Sequence, residues 1–448
     1  MKNIKETDFN IDNFSSELGF KIKKEQLKNV FKLSNSEIEL ATQLPLVLAH
    51  NYYFSNEFNS IHIHADADKE YKSLSMDEYF IHPSYIPERE LLKRESLVQN
   101  ENETSAIKIR KSGQFQHFLP HDYISGNLFE NADRIVITGS PGVGKSTYAR
   151  WLCYKWAKTQ VNINAVLIYL NLRNLNFNSK NAIANYIQDE YFKGTAVNEN
   201  DLIKILSLLN ENFLFILDGF DELDTTAQQT LKQHLYRLSP ESKYILLSRP
   251  YGLLQTYGLN WDAAFQIDGF NHSNIHNYID KFLTVNPKEN KSKEALMQII
   301  QDNSVLYDYA HNPLMLSFIV YIYLKSNNPD ENLTKIQSQY DLQNEVFIWI
   351  NKYEKNKKTY TENTKLLKHS EQFAYQLQIG KKHQYQSTEE PDKYADVLIY
   401  LSKTGIGNLR NQQTGMPKFN FNTITFREFF AARYLREFIT DKAFLYLS

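Results

Sequence analysis

Apolar and polar positions alternate along this chain in blocks that predict its elements. Five apolar residues in a row, Phe213-Leu214-Phe215-Ile216-Leu217, read as a strand buried on both faces, the pattern of a parallel sheet. Residues 134–138, 166–170 and 244–248 are further strand candidates. Helical spacing joins Ala149, Leu152, Cys153, Trp156 and Ala157, then Ile183, Tyr186 and Ile187, then Leu202, Ile205, Leu206 and Leu209. Upstream, Leu27, Val30 and Phe31 suggest a helical face, and Ser34 with Glu37 has capping-box spacing before Ile38, Leu40, Ala41 and Leu44. Pro45 should end or kink that helix. Residues 76–89, with Pro83 and Pro87, read as an extended segment.

Downstream, Ile275, Tyr278, Ile279 and Phe282 predict a helix, and Leu342, Val346, Phe347 and Ile350 another. The near-apolar run from Pro313 to Leu324 falls short of the about 20 residues a membrane span needs, so it predicts a buried helix. There is no repeat period and no long low-complexity linker, which excludes a leucine-rich array.

Composition narrows the classes. A chain of 448 residues with 42% apolar content can bury a sizeable core in roughly three domains. Lys+Arg 50 against Asp+Glu 52 leaves a net charge of −2, no global field for nucleic acid or anionic membrane. The short basic stretches Lys21–Lys24 and Lys108–Lys111 read as solvated faces. Cys153, the single cysteine, excludes an internal disulfide and fits a reducing, cytoplasmic setting. The polar opening Met1–Glu6 is unlike a secretory signal.

Chemistry concentrates in Gly139-Ser140-Pro141-Gly142-Val143-Gly144-Lys145-Ser146, followed by Thr147. A glycine, four free positions, then Gly-Lys-Ser between a strand and a helix is a phosphate cradle. Glycines let backbone N–H groups turn inward and approach a triphosphate. Lys145 reaches the β- and γ-phosphates, and the Ser146 hydroxyl can bind Mg²⁺. The second landmark is Asp218-Gly219-Phe220-Asp221-Glu222, whose acids follow the buried strand. There Asp218 would hold Mg²⁺, and Asp221 or Glu222 would orient or deprotonate the attacking water. Arg249, at the end of the 244–248 strand, could stabilise charge on the γ-phosphate. His62, His64, Asp66 and Asp68 could share one strand face and bind a divalent metal, against the plainer reading of a solvated edge strand.

The order of G-S-P-G-V-G-K-S-T, D-G-F-D-E and L-L-S-R-P resembles the NACHT family of signal-transduction ATPases. Leu172-Arg173, Asp268-Gly269-Phe270, Asn312-Pro313-Leu314-Met315-Leu316 and residues 419–435 extend the likeness over about 76–438. The resemblance implies an α/β P-loop NTPase with a parallel sheet over 76–270, a helical domain over 271–330, and a winged-helix domain over 331–448. Residues 1–75 would be a small, mainly helical module. It also implies that Pro313 packs by the bound nucleotide, and that Thr423 stands where the family often has a histidine contacting the ADP phosphate. A hydroxyl can donate one hydrogen bond there but cannot become a cation.

Functionally, the resemblance implies an ATP/ADP switch with Mg²⁺: closed around ADP, opening with ATP to self-associate, and reset by slow hydrolysis. The setting would be innate immunity, anti-phage defence if the source is bacterial, with an unidentified trigger and a separate effector protein. The family's long sensor region does not follow the 419–435 segment before Ser448, so sensing could lie in a partner, in the N-terminal module, or in a segment removed. Two other classes compete: a motor ATPase on nucleic acid, which needs a basic groove, and a nucleotide-binding scaffold without turnover, which would not need the three acids. Stable nucleic-acid or membrane binding is not expected.

Overall fold

The computed structural model describes residues 24–53, 58, 60–61, 74–87, 132–161, 163, 165–193, 197–238, 242–249, 261–285, 292–326, 328–346, 360–380, 385–386, 394–403, 407–411, 417–421 and 426–436. The chain divides into two compact units. The first is Met1–Ile61, Ser75–Ser140 and Gly144–Asp268; the second is His62–Leu74, Pro141–Val143 and Gly269–Ser448.

The first unit is built on a six-stranded sheet. Its strands are β1 (Ser84–Pro87), β2 (Arg134–Gly139), β3 (Val166–Asn171), β4 (Phe213–Asp218), β5 (Lys243–Ser248) and β6 (Ala263–Gly269), in the order β1-β6-β2-β5-β4-β3. The pairs β2/β5, β2/β6, β3/β4 and β4/β5 are parallel, so the expected parallel core is present. β4 is buried at every position, as its unbroken apolar run requires. Replacing a residue such as Phe215 there with Ala would cost about 3–5 kcal/mol. The register sets Asn171 opposite Asp218 and Thr138 opposite Ser248, which aligns the C-terminal ends of four strands along one side. Helices α1 (Lys24–Asn29), α2 (Asn35–Leu46) and α3 (Met76–Tyr79) come earlier in the chain, and helices follow the strands from β2 on: α4 (Lys145–Ala157), α5 (Ala182–Tyr191), α6 (Glu199–Leu208) and α7 (Thr225–Leu238). On α4 the stripe Ala149, Leu152, Cys153, Trp156, Ala157 is fully buried.

The N-terminal segments follow the pattern with corrections. The helix over Lys24–Asn29 buries Leu27 but leaves Val30, just past its end, 68% exposed, because the chain turns before Val30 can join the face. In the helix over Asn35–Leu46 the Ser34/Glu37 capping box forms in both directions, and Glu37 also pairs with Lys204 at 2.7 Å. Pro45 is the penultimate residue of that helix; after Leu46 the α-helix gives way to a π-helix over Val47–Tyr53. The Tyr53 hydroxyl donates to Leu167 O (2.8 Å) and accepts from Tyr169 N–H (3.0 Å), so it satisfies backbone groups of the edge strand β3.

The segment expected to be extended contains a helical turn, Met76–Tyr79, before β1. The Asp77 carboxylate holds that turn against α4 by accepting from Lys155 (2.6 Å), Lys158 (2.6 Å) and the Tyr154 hydroxyl (2.8 Å). Burial would raise the pKa of Asp77, yet these donors outweigh it and hold it at about 2. Phe80 stacks on Trp151, and Tyr85 meets Tyr148 edge-on.

The second unit begins with helices α8 (His272–Val285), α9 (Lys293–Asp302), α10 (Ser304–Ala310), α11 (Pro313–Lys325) and α12 (Pro329–Thr334). Every residue of α11 from Leu314 to Leu324 is buried, matching its all-round apolar sequence. A further helix spans 339–346 and buries Leu342 and Val346; Phe347 and Ile350 lie outside the described residues. Next come α13 (Tyr360–Ile379), β7 (Tyr385–Gln386), α14 (Ala395–Lys403), β8 (Gly407–Asn411), β9 (Pro417–Phe421) and a helix over 426–436. β7, β8 and β9 form an antiparallel sheet in the order β8-β9-β7, and Phe373 packs its ring among Tyr385, Tyr394, Phe419 and Phe421. No helix among the described residues is long and apolar enough to cross a membrane.

Candidate functional site

The turn between β2 and α4 holds Gly139 to Thr147. Gly142 and Gly144 sit at φ +78° and +102°, a region that side-chain-bearing residues avoid, so the loop's path depends on glycine at both. Gly144 is also the N-cap of α4, which places Lys145 and Ser146 in the first turn, where N–H groups have no partners within the helix. That end of a helix favours anions. Lys145 Nζ donates to Gly139 O (2.6 Å) and Ser140 O (3.1 Å), so its ammonium lies back across the loop. Burial, opposed by Asp221 and Asp218, lowers its pKa to about 8.

The acids stand at the end of β4, each with a different partner. Asp218 is buried; its Oδ1 accepts from the Ser146 hydroxyl (3.1 Å) and its Oδ2 from the Tyr169 hydroxyl (2.8 Å). Asp221 Oδ1 accepts from the Arg249 backbone N–H at 3.0 Å, and Oδ2 lies 3.2 Å from Arg249 Nε. Glu222 is buried and pairs with the Arg173 guanidinium through both carboxylate oxygens. Burial, together with Asp221 and Asp218, raises the pKa of Glu222 despite Arg173. Thus Lys145, Ser146, Asp218, Asp221, Glu222 and Arg249, scattered over 105 positions, are brought to one side of the sheet.

Within the second unit, the Asn312 side chain donates to Pro141 O at 2.8 Å, and Leu314 N–H donates to Gly142 O at 3.2 Å. Asn312 caps α11 by accepting from Leu314 and Met315 N–H. Pro313, at the first helical position, therefore sits between two residues bonded to the loop. Thr423, and the His62, His64, Asp66 and Asp68 set, lie outside the described residues. Among those described, no group of three or more His, Cys, Asp or Glu side chains could hold a metal ion.

Three contributors went unread as site residues. Tyr169 sits mid-strand in an apolar run, and only the β3/β4 register brings its hydroxyl to Asp218. Arg173 is the middle residue of a 3₁₀ turn after β3; the sequence marked it through the Leu172-Arg173 likeness and its charge beside an apolar strand, but not its pairing with Glu222. Asn312 carried the signal of an N-cap before Pro313.

The donor set suits a nucleoside triphosphate with a hard cation. Ser146 Oγ and Asp218 Oδ1 are neighbouring oxygens, the ligand type Mg²⁺ prefers. The glycine loop and Lys145 offer N–H groups and positive charge for phosphates.

Residues 133–286 match the family model of the NACHT domain. The chain is 24% identical over 206 residues to human Nucleotide-binding oligomerization domain-containing protein 2, covering 42% of this chain and 19% of that protein. To bovine NACHT, LRR and PYD domains-containing protein 3 it is 26% identical over 219 residues, 44% of this chain and 20% of that protein. The matched stretch thus spans about a fifth of the length of these relatives. The structure of the Aeropyrum pernix ORC1 protein in complex with DNA aligns with 73% of this chain and 97% of its own at 9% identity, with a TM-score of 0.33.

Proposed function

We propose, from the match of residues 133–286 to the NACHT domain model, that the protein is an ATP/ADP-controlled signalling switch of innate-immune type. One observation carries the reading: Asp218, Asp221 and Glu222 stand beside the Gly-rich loop at the C-terminal end of β4, with Ser146 bonded to Asp218 at 3.1 Å. Phosphates would lie on the N–H groups of 142–147 and on Lys145 Nζ, and Ser146 and Asp218 would hold Mg²⁺. The cation supplies charge neutralisation for the phosphates. Glu222, whose pKa burial raises, is the proton acceptor for the attacking water once its pairing with Arg173 loosens. Asp221 holds Arg249 just past the C-terminal end of β5, where the guanidinium would stabilise phosphate charge.

Hydrolysis on this reading is slow and resets the switch, because Glu222 and Asp221 are each already engaged by an arginine. The bonds from Asn312 to Pro141 and from Leu314 to Gly142, both within the second unit, tie the start of α11 to the middle of the loop and support Pro313 as a residue that packs by the nucleotide. Helices α8–α12 support a helical domain over 271–330, and β7–β9 with their helices support a winged helix over 331–448. Self-association on ATP binding, an unidentified trigger and a separate effector complete the proposal, with anti-phage defence as the setting in a bacterial host.

The test is the mass of the purified protein with ADP and with a non-hydrolysable ATP analogue, for wild type, Lys145→Ala and Glu222→Gln. A discrete assembly with the analogue, lost in Lys145→Ala and retained by Glu222→Gln with ATP itself, is the expected result. Equal nucleotide binding by wild type and Lys145→Ala would overturn the reading at its base.

A further inference from the structure

The first turn of α8 carries two histidines four positions apart, His272 and His276, on one face of the helix. Their Nε2 atoms are 3.1 Å apart. The rings meet edge-on, not stacked, at a centroid distance of 4.5 Å and an interplanar angle of 71°. Two bonds of about 2.0–2.1 Å from such nitrogens to a shared ion would subtend about 100°, between the tetrahedral and square-planar values.

The turn that holds them is fixed. Asn271 and Asn274 cap each other reciprocally: Asn271 N–H donates to Asn274 Oδ1 at 3.0 Å, and Asn274 N–H donates to Asn271 Oδ1 at 2.9 Å. Ile275, Tyr278 and Ile279 bury the opposite face. The imidazoles therefore need no backbone rearrangement to bring both Nε2 atoms to a shared ion, which removes much of the ordering cost of chelation.

We infer that His272 and His276 form a two-point chelate for a borderline divalent transition cation of the Zn²⁺, Ni²⁺ or Cu²⁺ class, with water completing its coordination. The nitrogen donors select against Mg²⁺ and Ca²⁺, which prefer oxygen. Lys293 is the cation facing the pair from α9, and its charge is offset by Asp280 at 3.1 Å. Bound metal would tie the first turn of α8 together, directly after Gly269 and Phe270.

The experiment is a Ni²⁺ titration by calorimetry on untagged full-length protein at pH 7.5, with millimolar Mg²⁺ present to occupy oxygen-rich sites. Wild type is compared with His272→Ala, His276→Ala, and a register variant combining His276→Asn with Asn277→His. The register variant keeps the composition but moves one imidazole off the shared face. The expected result is one Ni²⁺ fewer per chain in the register variant and a loss of at least tenfold in affinity in each single variant. Cu²⁺ bound to wild type should show an electron-paramagnetic spectrum with two equivalent imidazole nitrogens, reduced to one or none in the variants. Unchanged stoichiometry and affinity in the register variant, or a Cu²⁺ spectrum that the variants leave intact, would overturn the inference.

Discussion

Arg249 grips Asp221 twice: its backbone N–H donates to Oδ1 at 3.0 Å, and its Nε lies 3.2 Å from Oδ2. The Asp221 side chain is 4% exposed and that of Arg249 13%, so water screens the pair little. Arg249→Ala strands a buried carboxylate and is expected to lower stability by about 3 kcal/mol. The double variant Arg249→Met with Asp221→Asn should recover most of that loss in urea unfolding. A single variant as stable as wild type would show that the pair has no structural weight.

The Lys145 ammonium gives the pH prediction. Its folded pKa of about 8 lies below the unfolded value of 10.5, because burial disfavours the charge. Between these values the unfolded chain binds the extra proton, so stability rises with pH across about 8 to 10.5. The full change is roughly 3 kcal/mol at about 1.4 kcal/mol per pKa unit. Lys145→Met should remove this rise from paired urea titrations at pH 7.5 and 10.5. ATP requires the ammonium, so binding above pH 8 should also take up a proton, measurable by calorimetry in buffers of different ionisation enthalpy.

Tyr169 positions Asp218. Removing its hydroxyl leaves the buried Oδ2 without its donor, at a cost of about 1–3 kcal/mol. In Tyr169→Phe the carboxylate is free to turn from Ser146, and the Mg²⁺ concentration needed for half-maximal nucleotide binding should rise several-fold. Unaltered Mg²⁺ dependence would remove the positioning role.

Gly142 tolerates no side chain. A Cβ there would lie 2.8 Å from Asn312 Oδ1 and 2.9 Å from Leu314 Cβ, on a backbone at φ +78°. Gly142→Ala is therefore expected to lose the Asn312 and Leu314 bonds to the loop, about 1 kcal/mol each. ATP affinity should fall with them. Asn312→Ala, which loses a cap and a loop bond without the strain, should be the milder change, and the order of the two melting temperatures checks this.

Acid stability offers one more measurement. Asp77 is held at about 2 by Lys155, Lys158 and Tyr154, against burial. A depressed carboxylate stabilises the fold above the unfolded pKa, and that contribution disappears as pH falls from about 4 to 2. Asp77→Asn should be less stable than wild type at pH 7 and equal to it below pH 2. The difference should shrink with salt, because the Asp77 side chain is 28% exposed.

Sequence by itself determined the sheet core, the loop and the acids, because each is written in local pattern. An unbroken apolar run such as 213–217 is stable only when covered on both faces, and a Gly-rich turn between strand and helix has few alternatives. Local pattern failed where a side chain's fate depended on distant backbone. Val30 kept the helical spacing but lay beyond the turn that ends its helix.

Only the tertiary structure decided which charge meets which: Arg173 with Glu222, Arg249 with Asp221, Tyr169 with Asp218. These pairings span 28 to 49 positions and are fixed by sheet order and register, which no local period encodes. A strand-end acid can be read as chemistry from its neighbours in sequence, but its partner depends on which strands lie side by side.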